Sequence, residues 1–226
     1  MFPVWFTLGA AAWSAAEYSI HRFVGHGPKR QRAKSLAGMI SPAGVAAEFN
    51  AEHLAHHTDP SYFAPTSRKL LAAAVAVPTV TLLTAPFLGV RRAFAFGTGL
   101  TTMYGTYEFL HRRIHTHAPT GPYSRWLRRH HLLHHHKTPR DNHGVTSPLF
   151  DVLFGTYQPP ERVRVPRHVA PRWLVDEATG EVRPEYAEDY ELVGKRQRVS
   201  REAASTEAVE SAPMPRPASE RSVAVS

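Results

Sequence analysis

Three separate clusters of histidine place the strongest constraint on how this chain folds. Of its 15 histidines, all but His168 lie between residues 21 and 143. They occupy HRFVGH (21–26), HLAHH (53–57) and a longer stretch, 111–143, which contains HRRIH and HHLLHHH. The clusters border apolar segments, where unpaired polar groups are costly. The sequence therefore predicts that the clusters meet one another in the folded chain.

Within the clusters, the spacing is mostly that of a helix face. Residues three and four apart share a face, as His131 does with His134 and His135, whereas those two point about 100° apart. One such helix can offer ring nitrogens to two neighbouring metal ions. His21 and His26 are five apart, so a helix end or bend is predicted between them. The candidate ligands are His21, His26, His53, His56, His57, His111, His115, His131, His134 and His135.

The number of candidates indicates the kind of metal site. Neutral imidazole binds iron, zinc, copper and nickel, so the residue type does not choose the metal. Ten histidines exceed the ligand set of a structural zinc site and suit two metals with about five ligands each. An adventitious metal-binding tract at 134–136 is the competing interpretation, and the repeated helical spacing argues against it. No ligand role is assigned to His117, His130, His136, His143 or His168.

Composition limits the partners. The chain has no cysteine, which excludes disulfides, thiolate metal sites and iron–sulfur clusters. A net charge of +8 and a pI near 10.0 indicate nucleic acid or an anionic membrane as partner. No nucleic-acid-binding motif accompanies the charge. The membrane is therefore the predicted partner, and nucleic acid is not.

Apolar segments predict three membrane helices, over residues 3–20, 70–90 and 93–110. The last two would form a hairpin that turns near Arg91 and Arg92. An interfacial helix or half-hairpin is predicted over residues 36–50, because a fourth span there would put the first two histidine clusters on opposite sides of the membrane.

Charge predicts the orientation. Basic residues such as Lys29 and Arg30 accompany the histidine clusters, so the positive-inside rule places the clusters and the carboxyl terminus in the cytoplasm and the amino terminus outside. The predicted fold is an all-α integral membrane protein with about three membrane helices plus an interfacial helix. A cytosolic, helical, histidine-rich cap would hold a dinuclear metal site.

Four polar residues are candidates to support the metal ligands. Glu17 and Glu108 each precede a candidate histidine by one helical turn, and such a carboxylate can accept the second ring N–H of a ligand histidine. The alternative is a glutamate that only marks a helix end at the water interface. Asn142 and Asp151 follow the last cluster and are predicted to orient ligands or cap helices.

Composition also predicts the domain boundaries. Residues 1–159 would form a membrane-embedded domain that contains the histidine clusters. Residues 160–194 alternate charges and prolines with a few apolar residues, which predicts a cytoplasmic extension packed over the site or, alternatively, a loose segment. Residues 195–226 are polar and rich in alanine, serine and proline, which predicts a disordered tail.

The order of the motifs HRFVGH, HLAHHTDP, HRRIH, HHLLHHHK and GVTSPLFDVLFGT resembles the fatty acid hydroxylase/sterol desaturase superfamily of membrane di-iron enzymes. The resemblance covers roughly residues 10–156, and EYSIHRFVGH is most similar to the fatty acid 2-hydroxylase branch. It implies that the ten candidate histidines hold two iron ions, for which zinc can substitute in purified protein.

The resemblance also implies an activity. An enzyme of this kind hydroxylates a C–H bond of a lipid, either a fatty acyl chain or a related isoprenoid or sterol. It uses O2 and electrons from an external reductase with a ferredoxin or cytochrome-type carrier. A lipid desaturase or a carotenoid hydroxylase of the same superfamily is an alternative. In another class, the alternative is a histidine-rich membrane metal-binding or transport protein, whose ligands would lie nearer the bilayer midplane.

Overall fold

Helices make up most of the folded chain. The computed structural model describes residues 1–195, so the predicted disordered tail lies, apart from its first residue, outside the described part. The helices are α1 (Phe2–Ser19), α2 (Leu36–Ile40), α3 (Pro42–Thr58), α4 (Thr66–Leu88), α5 (Val90–Thr116), α6 (Pro122–His136) and α7 (Leu149–Leu153). A π-helical turn (Ile20–Gly25) continues α1, and two strands follow α7, β1 (Val163–Pro166) and β2 (Tyr190–Val193).

The longest helix, α5, packs against both α1 and α4. Its contact with α1 is close, because a Cβ atom added at Gly9 would lie 2.0 Å from the carbonyl oxygen of Phe96. Small residues that let backbones approach are typical of helix pairs in membranes. Arg92 lies over the ring of Trp5, and Trp13 contacts Tyr104 further along. The two helices therefore run in the same direction, and their carboxyl ends lie together.

One helix of the described chain, α4, is long and apolar enough to cross a membrane by length and composition. It remains continuous across Pro78 and Pro86. Helices α1 and α5 do not reach the same apolarity. Of the three predicted membrane helices, length and apolarity thus support the one that corresponds to α4.

The structure refines two predicted boundaries. The hairpin between α4 and α5 turns at Gly89, two residues before Arg91, because the positive φ of Gly89, 77°, lets the chain reverse between adjacent helices. The predicted helix over residues 36–50 is broken at Ser41, whose hydroxyl caps α3 by accepting the N–H of Gly44 at 3.1 Å. The histidines of HLAHH therefore belong to the helix that begins at Pro42.

The segment after α7 departs from the all-α prediction. β1 and β2 form a two-stranded parallel sheet that packs on α6. Its core joins Leu132 and Leu133 of α6 with Val163, Val165, Trp173, Leu174 and Tyr190. The indole N–H of Trp173 donates to the carbonyl oxygen of Ile114 at 3.0 Å. This segment therefore ties the end of α5 to α6.

Candidate metal centre

The ten candidate histidines come together in two groups of five in the described part of the chain. In each group, one ring nitrogen from every residue lies within 4.8 Å of the others. The first group is His21, His26, His53, His57 and His134, and the second is His56, His111, His115, His131 and His135. The groups are adjacent, since the His57 ring stacks on the His135 ring with centroids 4.0 Å apart.

Two helices supply both groups, because adjacent helical residues point about 100° apart. Helix α3 gives His53 and His57 to the first group and His56 to the second, and α6 gives His134 to the first and His131 and His135 to the second. The remaining ligand candidates come from the ends of α1 and α5. Four chain segments thus converge on one buried site.

A π-helical turn explains the five-residue spacing of His21 and His26. The backbone N–H of His26 donates to the carbonyl oxygen of His21 at 3.0 Å, and this wider turn puts both rings on one face, with centroids 5.2 Å apart. The predicted helix end lies between them, because the turn ends at Gly25 and His26 has non-helical backbone angles. The sequence did not predict that the helix takes the π form before it ends. Such turns often occur at functional sites.

The π-helical turn is held by Asn50, a fully buried residue that the sequence analysis missed. Its side-chain amide donates to the carbonyl oxygens of Val24 at 2.9 Å and Gly25 at 3.0 Å. Its own oxygen accepts the backbone N–H of Arg30 at 3.1 Å. The sequence feature that could have pointed to Asn50 is its position one helical turn before His53.

The distances between facing ring nitrogens fit metal ligands. His26 Nε2 lies 2.9 Å from His53 Nε2 and 3.0 Å from His134 Nε2. In the second group, His115 Nε2 lies 3.0 Å from His131 Nε2. Two nitrogens that are each about 2.1 Å from one ion, at right angles, lie about 3.0 Å apart. The donor sets therefore have the dimensions of metal coordination spheres.

Unpaired nitrogens support the same interpretation. The Nε2 atoms of His21 and His111 and both ring nitrogens of His135 are buried and have no hydrogen-bond partner among the described residues. Buried polar atoms without a partner are rare in folded proteins. A metal bound by each group would satisfy several of them at once.

Backbone carbonyls fix the orientation of three rings. The Nδ1 atom of His21 lies 2.5 Å from the carbonyl oxygen of His143, that of His134 lies 2.7 Å from Asp141 O, and that of His56 lies 2.8 Å from Tyr62 O. A carbonyl oxygen can only accept, so Nδ1 carries the proton. Nε2 is then free to bind a metal.

Burial keeps the ligand candidates neutral. Desolvation lowers the pKa of His26 and of His56 to about 4, and it lowers the pKa of His134 well below its ordinary value, with His21 and His57 adding to the effect. Neutral imidazole is the form that binds metal ions. The site is therefore prepared for metal binding at neutral pH.

The carbonyls of Asp141 and His143 belong to a segment, residues 141–147, that we name the carbonyl loop. Asp151, which is fully buried, accepts the backbone N–H groups of His143 at 2.8 Å and Gly144 at 2.7 Å. Asn142, at a positive φ of 57°, exchanges side-chain hydrogen bonds with the backbone of Gln158. Residues that follow the carbonyl loop in sequence thus hold it in place.

Glu17 holds the carbonyl loop from α1. Its carboxylate accepts the backbone N–H groups of Val145 at 2.5 Å and Thr146 at 2.9 Å, and the Thr146 hydroxyl at 2.6 Å. The predicted contact between Glu17 and a ring N–H of His21 does not form, because His21 Nδ1 is already paired with a carbonyl of this loop. Glu17 thus acts on His21 through the loop.

Glu108 is not placed as predicted. Its carboxylate pairs with the ammonium group of Lys69 at the start of α4, instead of accepting a ring N–H from His111. A charged ammonium group is a stronger partner for a carboxylate than a neutral imidazole. The pair lies at a groove between α4 and α5 that has a volume of about 380 Å³.

The other histidines lie outside both groups. The His130 ring is fully buried between Trp126 and Tyr157. His143 borders the first group with its ring 5.5 Å from those of His21 and His134. His117 and His168 are exposed, and His136 is half-buried at the end of α6.

Helices that bring ten buried or half-buried histidines into two adjacent groups define a candidate dinuclear metal protein. Residues 6–156 match the family model described as fatty acid hydroxylase. Because the match covers well over half of the chain, the chain belongs to the fatty acid hydroxylase family. The resemblance that the histidine motifs carry is thereby confirmed.

Relatives with assigned activities support this membership. The chain is 31% identical to dihydroceramide fatty acyl 2-hydroxylase FAH1 of Arabidopsis thaliana, over 66% of this chain and 58% of that one. It is also 31% identical to ceramide very long chain fatty acid hydroxylase SCS7 of Saccharomyces cerevisiae, over 69% of this chain and 38% of that one. The chain thus spans less than two thirds of either relative.

A solved structure has the same fold. It is described as full-length scs7p with only the hydroxylase domain visible, and it matches with a TM-score of 0.52 at 28% identity. The match covers 71% of this chain and 57% of that one. The matched part of the chain therefore has the fold of a hydroxylase domain.

Proposed function

We propose that this chain is a membrane-bound di-iron oxygenase that hydroxylates a C–H bond of a lipid acyl chain with O2 and external electrons. The observation that carries the proposal is the pair of five-histidine groups in a chain of the fatty acid hydroxylase family. All ten histidines of the proposed metal site are present, with ring nitrogens at coordination distances. The names of the relatives, which are ceramide and fatty acyl 2-hydroxylases, favour hydroxylation over desaturation.

We further propose that α1, α4 and α5 lie in the membrane, with the histidine groups on the cytoplasmic side. The apolar length of α4, the glycine-mediated contact of α1 with α5 and the basic residues near the histidines support this arrangement. In it, the catalytic domain comprises residues 1–159 and is covered by an extension of residues 160–194.

The ten histidines would hold two iron ions, five at each group, which when bound supply the redox chemistry that O2-dependent C–H hydroxylation requires. The chain itself contributes position and environment. The carbonyls of Tyr62, Asp141 and His143 keep Nδ1 protonated on their histidine partners, which leaves Nε2 toward the metals. Burial of the rings excludes water. The electrons would come from a separate reductase and carrier.

The groove between α4 and α5 is the proposed path of the acyl chain. It is lined mainly by apolar atoms, and it includes Leu70, Ala73 and Phe109. At the same end of these helices, the ring of Phe63 lies under Lys69 and packs against His56 with centroids 5.1 Å apart. Phe63 therefore lies between the groove and the second histidine group.

Lipid mass spectrometry tests the function. Cells that express the full chain are compared with cells that express His134→Ala, and metal content is measured on both purified proteins. A lipid pool that gains one oxygen only with the unmodified chain supports hydroxylation, and a loss of two hydrogens would reassign the chain as a desaturase. Absence of bound metal in the unmodified protein would refute the di-iron proposal.

A further inference from the structure

Two separate segments orient the two histidine groups. The carbonyl loop accepts ring N–H groups from His21 and His134, which both belong to the first group. In the second group, the ring N–H of His56 is accepted by Tyr62, in the turn between α3 and α4. No hydrogen bond joins the two segments within residues 1–195. Each segment therefore orients one group only.

Glu17 links α1 to the carbonyl loop beside the first group. It lies one helical turn before His21 on α1, and it holds the loop whose His143 carbonyl orients His21. Glu17 is buried, with 4% of its surface exposed, so water cannot replace it at the Val145 and Thr146 amides. Without the carboxylate, two buried N–H groups would lose their partner and the loop would have to shift.

The carbonyl loop has little freedom to adjust in place. A Cβ atom at Gly144 would lie 2.1 Å from the carbonyl oxygen of Ser147 and 2.9 Å from Asp151 Oδ2, so the backbone there is closely packed. A loop released by Glu17 would therefore move as a unit. The carbonyls that orient His21 and His134 would move with it.

We infer that Glu17 is a positioning residue for the first histidine group alone, so that removing its contacts with the carbonyl loop weakens one metal site and leaves the other intact. The inference rests on the proposed function, in which each group binds one metal. Outer partners of metal ligands contribute about 10–100-fold to metal affinity. Glu17→Ala is expected to lose that factor at the first group only.

The test is a zinc titration of the purified full chain against a competing chelator, for the unmodified protein, Glu17→Ala and Glu17→Gln. The unmodified chain is expected to bind two zinc ions tightly. Glu17→Ala is expected to keep one tight site and to bind the second ion about 10–100-fold more weakly. Glu17→Gln is expected to keep both, because its amide oxygen still accepts the Val145 and Thr146 N–H groups.

Two double variants locate the ion that remains. His26→Ala removes a first-group ligand, so adding it to Glu17→Ala should leave one tight zinc ion. His115→Ala removes a second-group ligand, so adding it should leave no tight zinc ion. If Glu17→Ala only unfolded the protein, the two double variants would bind the same number of tight zinc ions.

The outcomes separate the inference from the proposed function. If the unmodified chain does not bind two zinc ions, the di-iron proposal fails. If it binds two and Glu17→Ala weakens both equally, or neither, the inference alone is overturned, as it is if Glu17→Gln behaves like Glu17→Ala. Thr146→Val removes only the hydroxyl contact with Glu17, so if Glu17→Ala cannot be purified, this variant must show the same one-site weakening for the inference to stand.

Discussion

Replacing Asn50 by alanine is expected to destabilise the chain strongly and to disturb the first histidine group. The amide of Asn50 is the donor for the carbonyls of Val24 and Gly25 at the end of the π-helical turn. Gly25 packs on the ring of His53, since an added Cβ atom would lie 2.8 Å from it. Alanine would remove this donor from both carbonyls, whereas the Val24 carbonyl would keep the backbone N–H of Gly27 at 3.3 Å.

The magnitude follows from the contacts that are lost. Loss of the donor to the Gly25 carbonyl, in buried surroundings, costs about 1–2 kcal/mol. Loss of the hydrogen bond to the half-buried Val24 carbonyl costs about 1 kcal/mol, for a total of about 2–3 kcal/mol. The bond to the Arg30 N–H adds little, because that residue is exposed and water can replace Asn50. For a chain of this size, such a loss lowers the apparent melting temperature by about 4–12 °C.

The assay is thermal unfolding of the detergent-solubilised full chain, with bound metal measured before heating. Glu48→Ala is the matched control on the same helix. Glu48 is partly exposed, with 40% of its side-chain surface accessible, and it pairs with Arg32 and Arg68 at the surface, where ion pairs contribute about 0–1 kcal/mol. A melting temperature of Asn50→Ala equal to that of Glu48→Ala would refute the argument that Asn50 secures the π-helical turn.

Three further predictions concern the groove, the metals and the extension. Gly105 lines the groove with no atom within 4 Å of an added Cβ, so Gly105→Leu should reduce hydroxylation of long acyl chains in lipid mass spectrometry, whereas Thr106→Leu, which does not line the groove, should not. Because the pKa of His26 and of His56 is lowered to about 4 from an unfolded value of 6.5, only the unfolded chain gains these protons just below pH 6.5. Stability and metal retention should therefore fall as the pH decreases from 6.5 to 4, which dialysis followed by metal analysis would measure. Trp173→Phe leaves the carbonyl of Ile114 without its donor and should lower the free energy of unfolding by about 1–2 kcal/mol, measured by denaturant titration.

Helix periodicity allowed most of the ligand histidines to be predicted from the sequence. Spacings of three and four residues translate directly into a shared helix face, and they mark eight of the ten histidines that the fold brings into two groups. His21 and His26, which are five apart, do not follow that spacing. The division of the histidines between the two groups could not be predicted from their spacing. His131 and His134 share a face of α6 by spacing, yet they belong to different groups, because the partition depends on which other helices approach each side.

The features that the sequence missed depend on contacts between distant segments. The π-helical turn forms where Asn50, 25 residues along the chain, binds the carbonyl of Gly25. Glu17 reaches backbone groups 128 and 129 residues away. A spacing rule applied to Glu17 finds only its neighbours on α1, so it assigned the carboxylate to a histidine ring instead of to the carbonyl loop. Position within a helix predicts the face of a residue, but not its partner.

The segment that lies beyond the family match also contributes to the arrangement of the ligands. The match ends at residue 156, but the sheet that follows packs on α6, which supplies three of the ten histidines. Asp189 pairs with Arg125 and Arg129 on α6, and Trp173 binds the backbone of α5 one residue before His115. The segment after α7 therefore connects two helices that supply ligands, α5 and α6. In this chain, the segment that the family model does not include holds α6, which supplies ligands to both histidine groups, whereas Glu17 and the carbonyl loop, which the model does include, orient ligands of the first group.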